Sequence, residues 1–486
     1  MGSVGYAYLK SSLKLTSFDV TWPARISPVT RLTPTDEALL VPSHVAPDND
    51  TPLAHALFAL KHEGVCLQTL MQALRHIPDF QLIEGINASP TGAYIRILGY
   101  LWEKANAQTL ENLPEIGGPT VDLFDQERYI TAEGVRDARW RVNFNGIGSM
   151  DYCATVEKTA SITALLAEEL VGQANQFMAE QGAAFMDRAL SWAYLHETES
   201  SFAIEHEKPS VSKAEAFAQI LQHAAEPRVL DETYLVALQN ATISNPLDKA
   251  AGYRHQQNWL RGPARGALGI TYIPPPPELA RELMGHLTRS VNDKVAGVDP
   301  LIAAAITSFG FVFLHPFMDG NGRLSRFLIH YVLAQSGKLS KGLLLPVSIA
   351  MKRHEQAYLS ALQSYSVPAR ACWDVDWVGD EDYELRFIAD DTIYRYWNAT
   401  ACVEFCLQMA KQALEQDLKA ETRFLLEFDR VYRAVDAVAD VRGNDLTVLV
   451  ISALQNQGRV SRNRRKQFQN TVTESVFELI EAACKQ

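Results

Sequence analysis

A mainly helical chain is predicted, and three observations carry the prediction. From about residue 156 to 365 the apolar residues recur with helical rather than alternating periodicity. Within that span, Asp299-Pro-Leu-Ile-Ala-Ala-Ala-Ile-Thr-Ser-Phe-Gly-Phe-Val-Phe-Leu314 is apolar almost all round, as a buried helix is, and Pro316 argues for a break after it. Arg323-Leu-Ser-Arg-Phe-Leu-Ile-His-Tyr-Val-Leu-Ala-Gln335 again repeats at helical spacing and stops at Gly337. The stretch between them, His315-Pro-Phe-Met-Asp-Gly-Asn-Gly-Arg-Leu-Ser-Arg326, therefore sits in a turn between two packed helices.

That turn has the composition of a phosphate-handling site. A Gly-Asn-Gly turn feeding a helix exposes backbone N–H groups, and the helix start adds partial positive charge. Arg323 and Arg326 lie three apart on one face of the first turn, where cations are disfavoured unless an anion covers them. Asp319 supplies a hard carboxylate oxygen suited to Mg²⁺ bridging phosphates. His315 is the proton acceptor left in the turn. Gly320-x-Gly322 lacks the third glycine and the preceding strand of a dinucleotide fingerprint. The chain holds no GxxxxGK[ST], and Asp319-x-Asn321 is not continued as a calcium loop.

HPFMDGNGRLSR matches every specified position of the Fic signature HxFx[D/E]GNGRxxR, so the chain resembles the Fic family. The resemblance implies an all-helical core with a β-hairpin flap, and transfer of AMP from ATP to a protein Ser, Thr or Tyr hydroxyl with pyrophosphate leaving. It implies His315 as general base, Phe317 as the buried anchor of the loop and Asp319 as the Mg²⁺ ligand. Gly320, Asn321 and Gly322 are implied as the anion-binding backbone, with Asn321 also holding the loop's shape. Arg323 is implied as the phosphate clamp and Arg326 as the arginine that orients the terminal phosphate. Such chemistry rests on positioning and charge neutralisation. Two further uses of the same fold are open: removal of AMP, with Glu205 positioning water, and a DNA-binding regulator whose Fic domain senses a nucleotide.

Upstream, Ser201-Phe-Ala-Ile-Glu205 resembles the family's inhibitory helix, [S/T]xxxE followed by Gly or Asn. Ser201 and Glu205 share a helix face, and the expected pairing is Glu205 with Arg326, in the place of the terminal phosphate. His206 stands where the pattern has Gly or Asn. Without the family, Glu197, Glu199, Glu205 and Glu207 read as a surface acidic helix. The glycines and the β-favouring Ile270-Thr-Tyr-Ile273 allow a hairpin, so Trp259 to Ile273 is the expected flap, which in the family holds a target segment by strand pairing. Pro274 to Pro277 then stiffen the chain before a helix beginning near Glu278.

Three parts are expected: an α+β accessory domain at 1–155, the catalytic domain at 156–365, and a helical, winged-helix-like domain at 366–486. In the last, Asp445 to Asn456, Gly458 and Arg459-Val-Ser-Arg-Asn-Arg-Arg-Lys466 fit a helix-turn-helix unit with Ser461 as cap, and equally a solvated basic face or a protein contact. The net charge of −12 argues against nucleic-acid binding over the whole surface and leaves room for a local patch. Six dispersed cysteines with no CxxC pair suggest reduced thiols, and Cys402 with Cys406 reads as core packing. No signal peptide or apolar stretch of membrane-spanning length is visible, so a cytoplasmic protein is expected. The expected partners are ATP, Mg²⁺ and a target protein, with self-modification and a homodimer allowed by the resemblance.

Overall fold

The computed structural model describes residues 2–180, 183–243, 245–264, 266–294, 296–379 and 382–485. The amino-terminal part mixes five helices, α1 (Gly5–Leu13), α2 (Pro52–His62), α3 (Leu67–Leu74), α4 (Asp79–Ala88) and α5 (Ala93–Asn106), with short strands. Strands β1 (Ala24–Ile26), β2 (Thr33–Pro34) and β3 (Leu39–Val41) make one sheet with β3 in the middle. Strands β4 (Val121–Asp122), β6 (Val135–Asp137) and β7 (Val142–Phe144) make another, and β5 (Tyr129–Ile130) and β8 (Ile147–Gly148) each pair antiparallel with β9 (Cys153–Glu157). This unit has its own core of Leu70, Leu74, Leu98, Leu101, Trp140 and Val142. Gly99 makes room for it: a Cβ there would meet the Trp140 ring at 2.3 Å.

The helical body follows as α6 (Ala160–Ala167), α7 (Leu170–Glu180), α8 (Ala183–Ile204), α9 (Val211–Gln222) and α10 (Glu232–Thr242). After the hairpin β10 (Leu260–Arg261) and β11 (Ile270–Tyr272) come α11 (Pro277–Asn292), α12 (Pro300–Leu314), α13 (Asn321–Gln335), α14 (Val347–Arg353) and α15 (Glu355–Arg370). The apolar run that predicts a buried helix is α12, started by Asp299, whose side chain accepts from the Leu301 N–H at 2.8 Å, and by Pro300 at its first position. Packed along α13, it forms the centre of the largest core. The hairpin β10–β11 lies inside the expected flap, and Arg265 of that stretch lies outside the described residues.

Residues 366–486 are not all helical, contrary to expectation. Strands β12 (Trp373–Gly379) and β13 (Asp382–Phe387) form an antiparallel hairpin with Trp373 opposite Phe387 and Trp377 opposite Tyr383. Their residues alternate Asp-Val-Asp-Trp and Tyr-Glu-Leu-Arg-Phe with a period of two, and the apolar side packs on the flap through Trp259, Ile270 and Ile273. After α16 (Thr392–Arg395), strand β14 (Tyr396–Asn398) pairs in parallel with β9, more than 200 residues earlier. Helix α17 (Thr400–Gln412) buries Cys402 and Cys406 in the central core, which draws on the chain as far as Leu418. The remaining helices, α18 (Lys419–Asp436), α19 (Gly443–Gln455), α20 (Arg462–Phe468) and α21 (Glu474–Ala483), share a separate core of Val431, Leu446, Leu449, Phe468 and Ile480. No helix among the described residues is long and apolar enough to cross a membrane.

Candidate active site between α12 and α13

The loop at the α12–α13 junction is held from several sides. His315 caps α12 in the left-handed region (φ 48°, ψ 59°), and its N–H donates to Phe311 O at 2.9 Å. Buried Arg254 donates from Nε to His315 O at 2.9 Å and from its backbone N–H to Pro316 O at 2.8 Å. Burial presses that guanidinium down to about 10. Asn321 closes the loop on itself, its Oδ1 accepting from Phe317 N–H at 3.0 Å and its Nδ2 donating to Phe317 O at 2.8 Å. Asn258 donates to that same carbonyl at 3.2 Å, and Gln239 donates to Asp319 O at 3.2 Å. Phe317 is fully buried against Tyr253 and Phe311. Gly320 precedes α13 at φ 88°, a conformation that favours glycine, and a Cβ there would meet the Ile243 side chain at 3.0 Å.

The start of α13 is an anion seat, and a carboxylate of the same chain sits in it. The N–H groups of a first helical turn have no intrahelical acceptor, and the dipole favours negative charge there. A Cβ on Gly322 would meet Glu205 Oε1 at 2.0 Å, so this glycine is what lets the carboxylate reach the backbone. Glu205 Oε1 also accepts from Arg326 Nη2 at 2.8 Å. The same arginine donates from Nε to Ser201 Oγ at 2.9 Å and from Nη2 to Ser201 O at 2.6 Å. Burial alone would raise the Glu205 carboxyl, but Arg326, then Arg323, hold it below the usual carboxylate range.

Arg323 carries a second such pairing that was not anticipated. Its Nη1 donates to Glu207 Oε2 at 2.8 Å and its Nη2 approaches Asp319 at 3.3 Å, while the guanidinium lies over the Phe202 ring. Both arginines are about 1% exposed. Each keeps one buried nitrogen, Arg323 Nε and Arg326 Nη1, without a well-aligned hydrogen-bond partner among the described residues, although the Tyr358 hydroxyl lies beside the Arg326 guanidinium. Two buried cations with donors to spare suit a ligand carrying more oxygens than two carboxylates offer.

The end of α8 explains how two glutamates so close in sequence reach two arginines. Glu207 N–H donates to Phe202 O at 3.1 Å and His206 N–H to Ala203 O at 3.1 Å, the paired bonds of a Schellman ending. His206 takes the left-handed position at φ 57°. It therefore does the backbone work that Gly or Asn does in the family pattern, at a cost of about 1 kcal/mol for a side chain in that region. Glu205 and Glu207 then flank the reversal of the chain. Glu197, read as a surface acid, is instead buried, bonding His330 Nε2 at 2.6 Å and Ser348 N–H at 2.8 Å. That network fastens α8 to α13 and α14.

His315 Nδ1 lies 3.1 Å from Val312 O, and because a carbonyl only accepts, Nδ1 carries the hydrogen and Nε2 the lone pair. Burial, with Arg254 nearby, lowers this imidazole to about 4. It is neutral at physiological pH. Asp319 is about half exposed at the lip of the seat, with Oδ1 accepting from Gly320 N–H at 2.6 Å. All ten residues singled out from the sequence, Ser201, Glu205, His315, Phe317, Asp319, Gly320, Asn321, Gly322, Arg323 and Arg326, converge on this junction. Glu207, Arg254, Asn258 and Gln239 were missed as members. For Glu207 a signal existed in its place two residues after Glu205; the others belong to no local pattern.

Residues 229–333 match the sequence profile of the Fic/DOC family. The chain is 34% identical over 122 residues to "Protein adenylyltransferase Fic" of Aedes aegypti, covering 25% of this chain and 21% of that one. It is 28% identical over 185 residues to the protein of the same name in Nematostella vectensis, covering 33% of this chain and 42% of that one. The chain thus spans less than half the length of these curated relatives. Among solved structures it is similar to a Fic family protein from Desulfovibrio desulfuricans, at TM-score 0.41 and 19% identity over 64% of this chain and 87% of that one.

Proposed function

We propose that this chain, which carries a Fic/DOC family domain at residues 229–333, is a protein adenylyltransferase that moves AMP from ATP to a Ser, Thr or Tyr hydroxyl of a protein. The observation that carries the reading is one loop holding an anion seat over Gly322, two buried arginines with spare donors and a neutral imidazole. The relatives named adenylyltransferases support the nucleotide and the reaction class.

With Glu205 out of the seat, the triphosphate lies over the first-turn N–H groups of α13, and Arg323 and Arg326 take up its charge. A target segment adds as a strand beside the β10–β11 hairpin and presents its hydroxyl. The hydroxyl proton passes to His315 Nε2 as the oxygen bonds the α-phosphorus, and the bond to the bridging oxygen breaks so that its electron pair leaves with pyrophosphate. Asp319, a hard, half-exposed carboxylate at the lip of the seat, would hold Mg²⁺, which would supply charge neutralisation to the phosphates.

The arrangement is an off-state held in cis. Ser201 and Glu205 occupy Arg326, and Glu207 occupies Arg323, so both phosphate-binding arginines are engaged by the last turn of α8 and the residues just after it. The test uses ATP labelled on its α-phosphate with Mg²⁺, alone and with cell lysate. Glu205→Gly should label itself or a lysate protein on the order of 100-fold more than the wild type, equivalent to about 3 kcal/mol of lost closed state. Adding His315→Ala should abolish the signal. A folded Glu205→Gly protein that labels nothing would sink the transfer reading.

A further inference from the structure

The carboxy-terminal helices carry a surface that adenylyl transfer does not use. Their core is separate from the central one, and within it α19 and α20 are joined by residues 456–461, with Gln457 and Gly458 in the left-handed region (φ 53° and 78°). Ser461 caps α20, accepting from Arg464 N–H, and its own N–H donates to Ser452 Oγ of α19 at 3.1 Å. Helix α20 is also fixed to α21: Arg465 pairs with Glu474 and with Glu481 at 2.7 Å, and Val460 N–H donates to Glu481 Oε1 at 3.0 Å. Val460 and Phe468 are buried beneath it. The orientation of α20 is therefore set, and its outer face is set with it.

That outer face has a particular make-up. Arg462 and Lys466 are four apart, Asn463 and Gln467 are four apart, and the two rows are adjacent; all four residues are exposed, as are Arg459 and Arg464. Like charges at that spacing, with cations in a first turn, disfavour the isolated helix, so stability is not the reason for the pattern. Arg459 to Lys466 contains five cations and no acid in a chain of net charge −12. We infer that α19 and α20 form a helix-turn-helix unit that sets α20 in the major groove of duplex DNA. Arg459, Arg462, Arg464 and Lys466 meet phosphates or guanine edges, and Asn463 and Gln467 meet adenine edges.

The experiment is fluorescence anisotropy of the full chain with a labelled random-sequence DNA duplex. Binding is expected at 50 mM salt, and four phosphate contacts give a salt slope near −3.6, an affinity loss of roughly 150-fold by 200 mM. Arg462→Glu with Lys466→Glu should remove the binding. Both positions are exposed; an acid at 462 suits the first turn and one at 466 is slightly disfavoured in the last, so the melting temperature should change by no more than about 2 °C. Selection from a random duplex pool should enrich a motif, and Asn463→Ala with Gln467→Ala should flatten it while leaving affinity for the random duplex. The inference fails if nothing binds at 50 mM salt, or if the charge-reversed protein binds as tightly. It also fails if no motif is enriched, or if polyglutamate displaces the duplex as well as unlabelled DNA does, since α20 would then be a site for acidic proteins. Because none of these readouts involves His315 or Glu205, they leave the adenylyltransferase reading untouched.

Discussion

Two helices of this chain begin with clustered cations and treat them in opposite ways. In α13, Arg323 and Arg326 are about 1% exposed and each is met by a glutamate from the end of α8. In α20, Arg462, Arg464 and Lys466 are exposed, with Arg464 donating to the neutral Gln467 side chain at 2.6 Å, while Arg465 is held by carboxylates from α21. A buried arginine must have its anion within the fold, because the cost of an unpaired buried charge is several kcal/mol. An exposed one is satisfied by water and can wait for a partner. Under the proposed function the first arrangement makes a switch, in which ligand and in-chain acid compete, and the second makes an open surface.

The sharpest way to break this contrast is to remove one arginine from each helix. Arg326→Ala should lower stability to chemical denaturation by about 3 kcal/mol or more, because Glu205 and Ser201 lose their partner, while Arg462→Ala should change it by less than about 0.5 kcal/mol. Equal effects would mean that burial does not distinguish the two clusters. Titration probes the same junction. His315 has its folded-state value lowered to about 4, so the unfolded chain binds the extra proton between that value and 6.5, and stability falls as pH drops through that window. The loss is on the order of 3 kcal/mol and is complete near pH 4, whereas above pH 6.5 the contribution is fully present. Melting curves of wild type and His315→Ala should therefore converge as pH falls; parallel curves would show that the imidazole is not buried neutral.

Smaller changes separate the two glutamates and the turn between them. Glu207→Gln should raise AMP labelling by roughly tenfold, less than Glu205→Gly, because Glu207 neutralises Arg323 but does not occupy the seat over Gly322. An increase equal to that of Glu205→Gly would make the two acids equivalent. His206→Gly relieves a left-handed side chain and should raise the melting temperature by about 2 °C, for about 1 kcal/mol. A fall would show that the His206 side chain contributes something beyond the backbone turn.

How much was legible beforehand follows the range of the interactions. The apolar run of α12, the break at Pro316 and the spacing of Arg323 and Arg326 lie within a few residues of one another, and local periodicity reveals them. The β12–β13 hairpin was legible too, since its residues alternate, but the helices on either side masked it. Glu197 looked like a surface acid because its partners, His330 and Ser348, are more than 130 residues away.

The sequence by itself determined the chemistry of the α12–α13 loop: which atoms can take a proton, meet a phosphate or bind a hard cation, and that Ser201 and Glu205 share a helix face. Only the tertiary structure decided that Glu205 lies against Gly322, that Glu207 turns onto Arg323, and that His206 serves as the left-handed residue of the α8 ending. It also decided that β14 completes a sheet begun at β9. Side-chain identity and spacing are local properties. Which acid meets which arginine, and which strand meets which edge, is set by how the remote helices pack, and burial then makes those pairings obligatory.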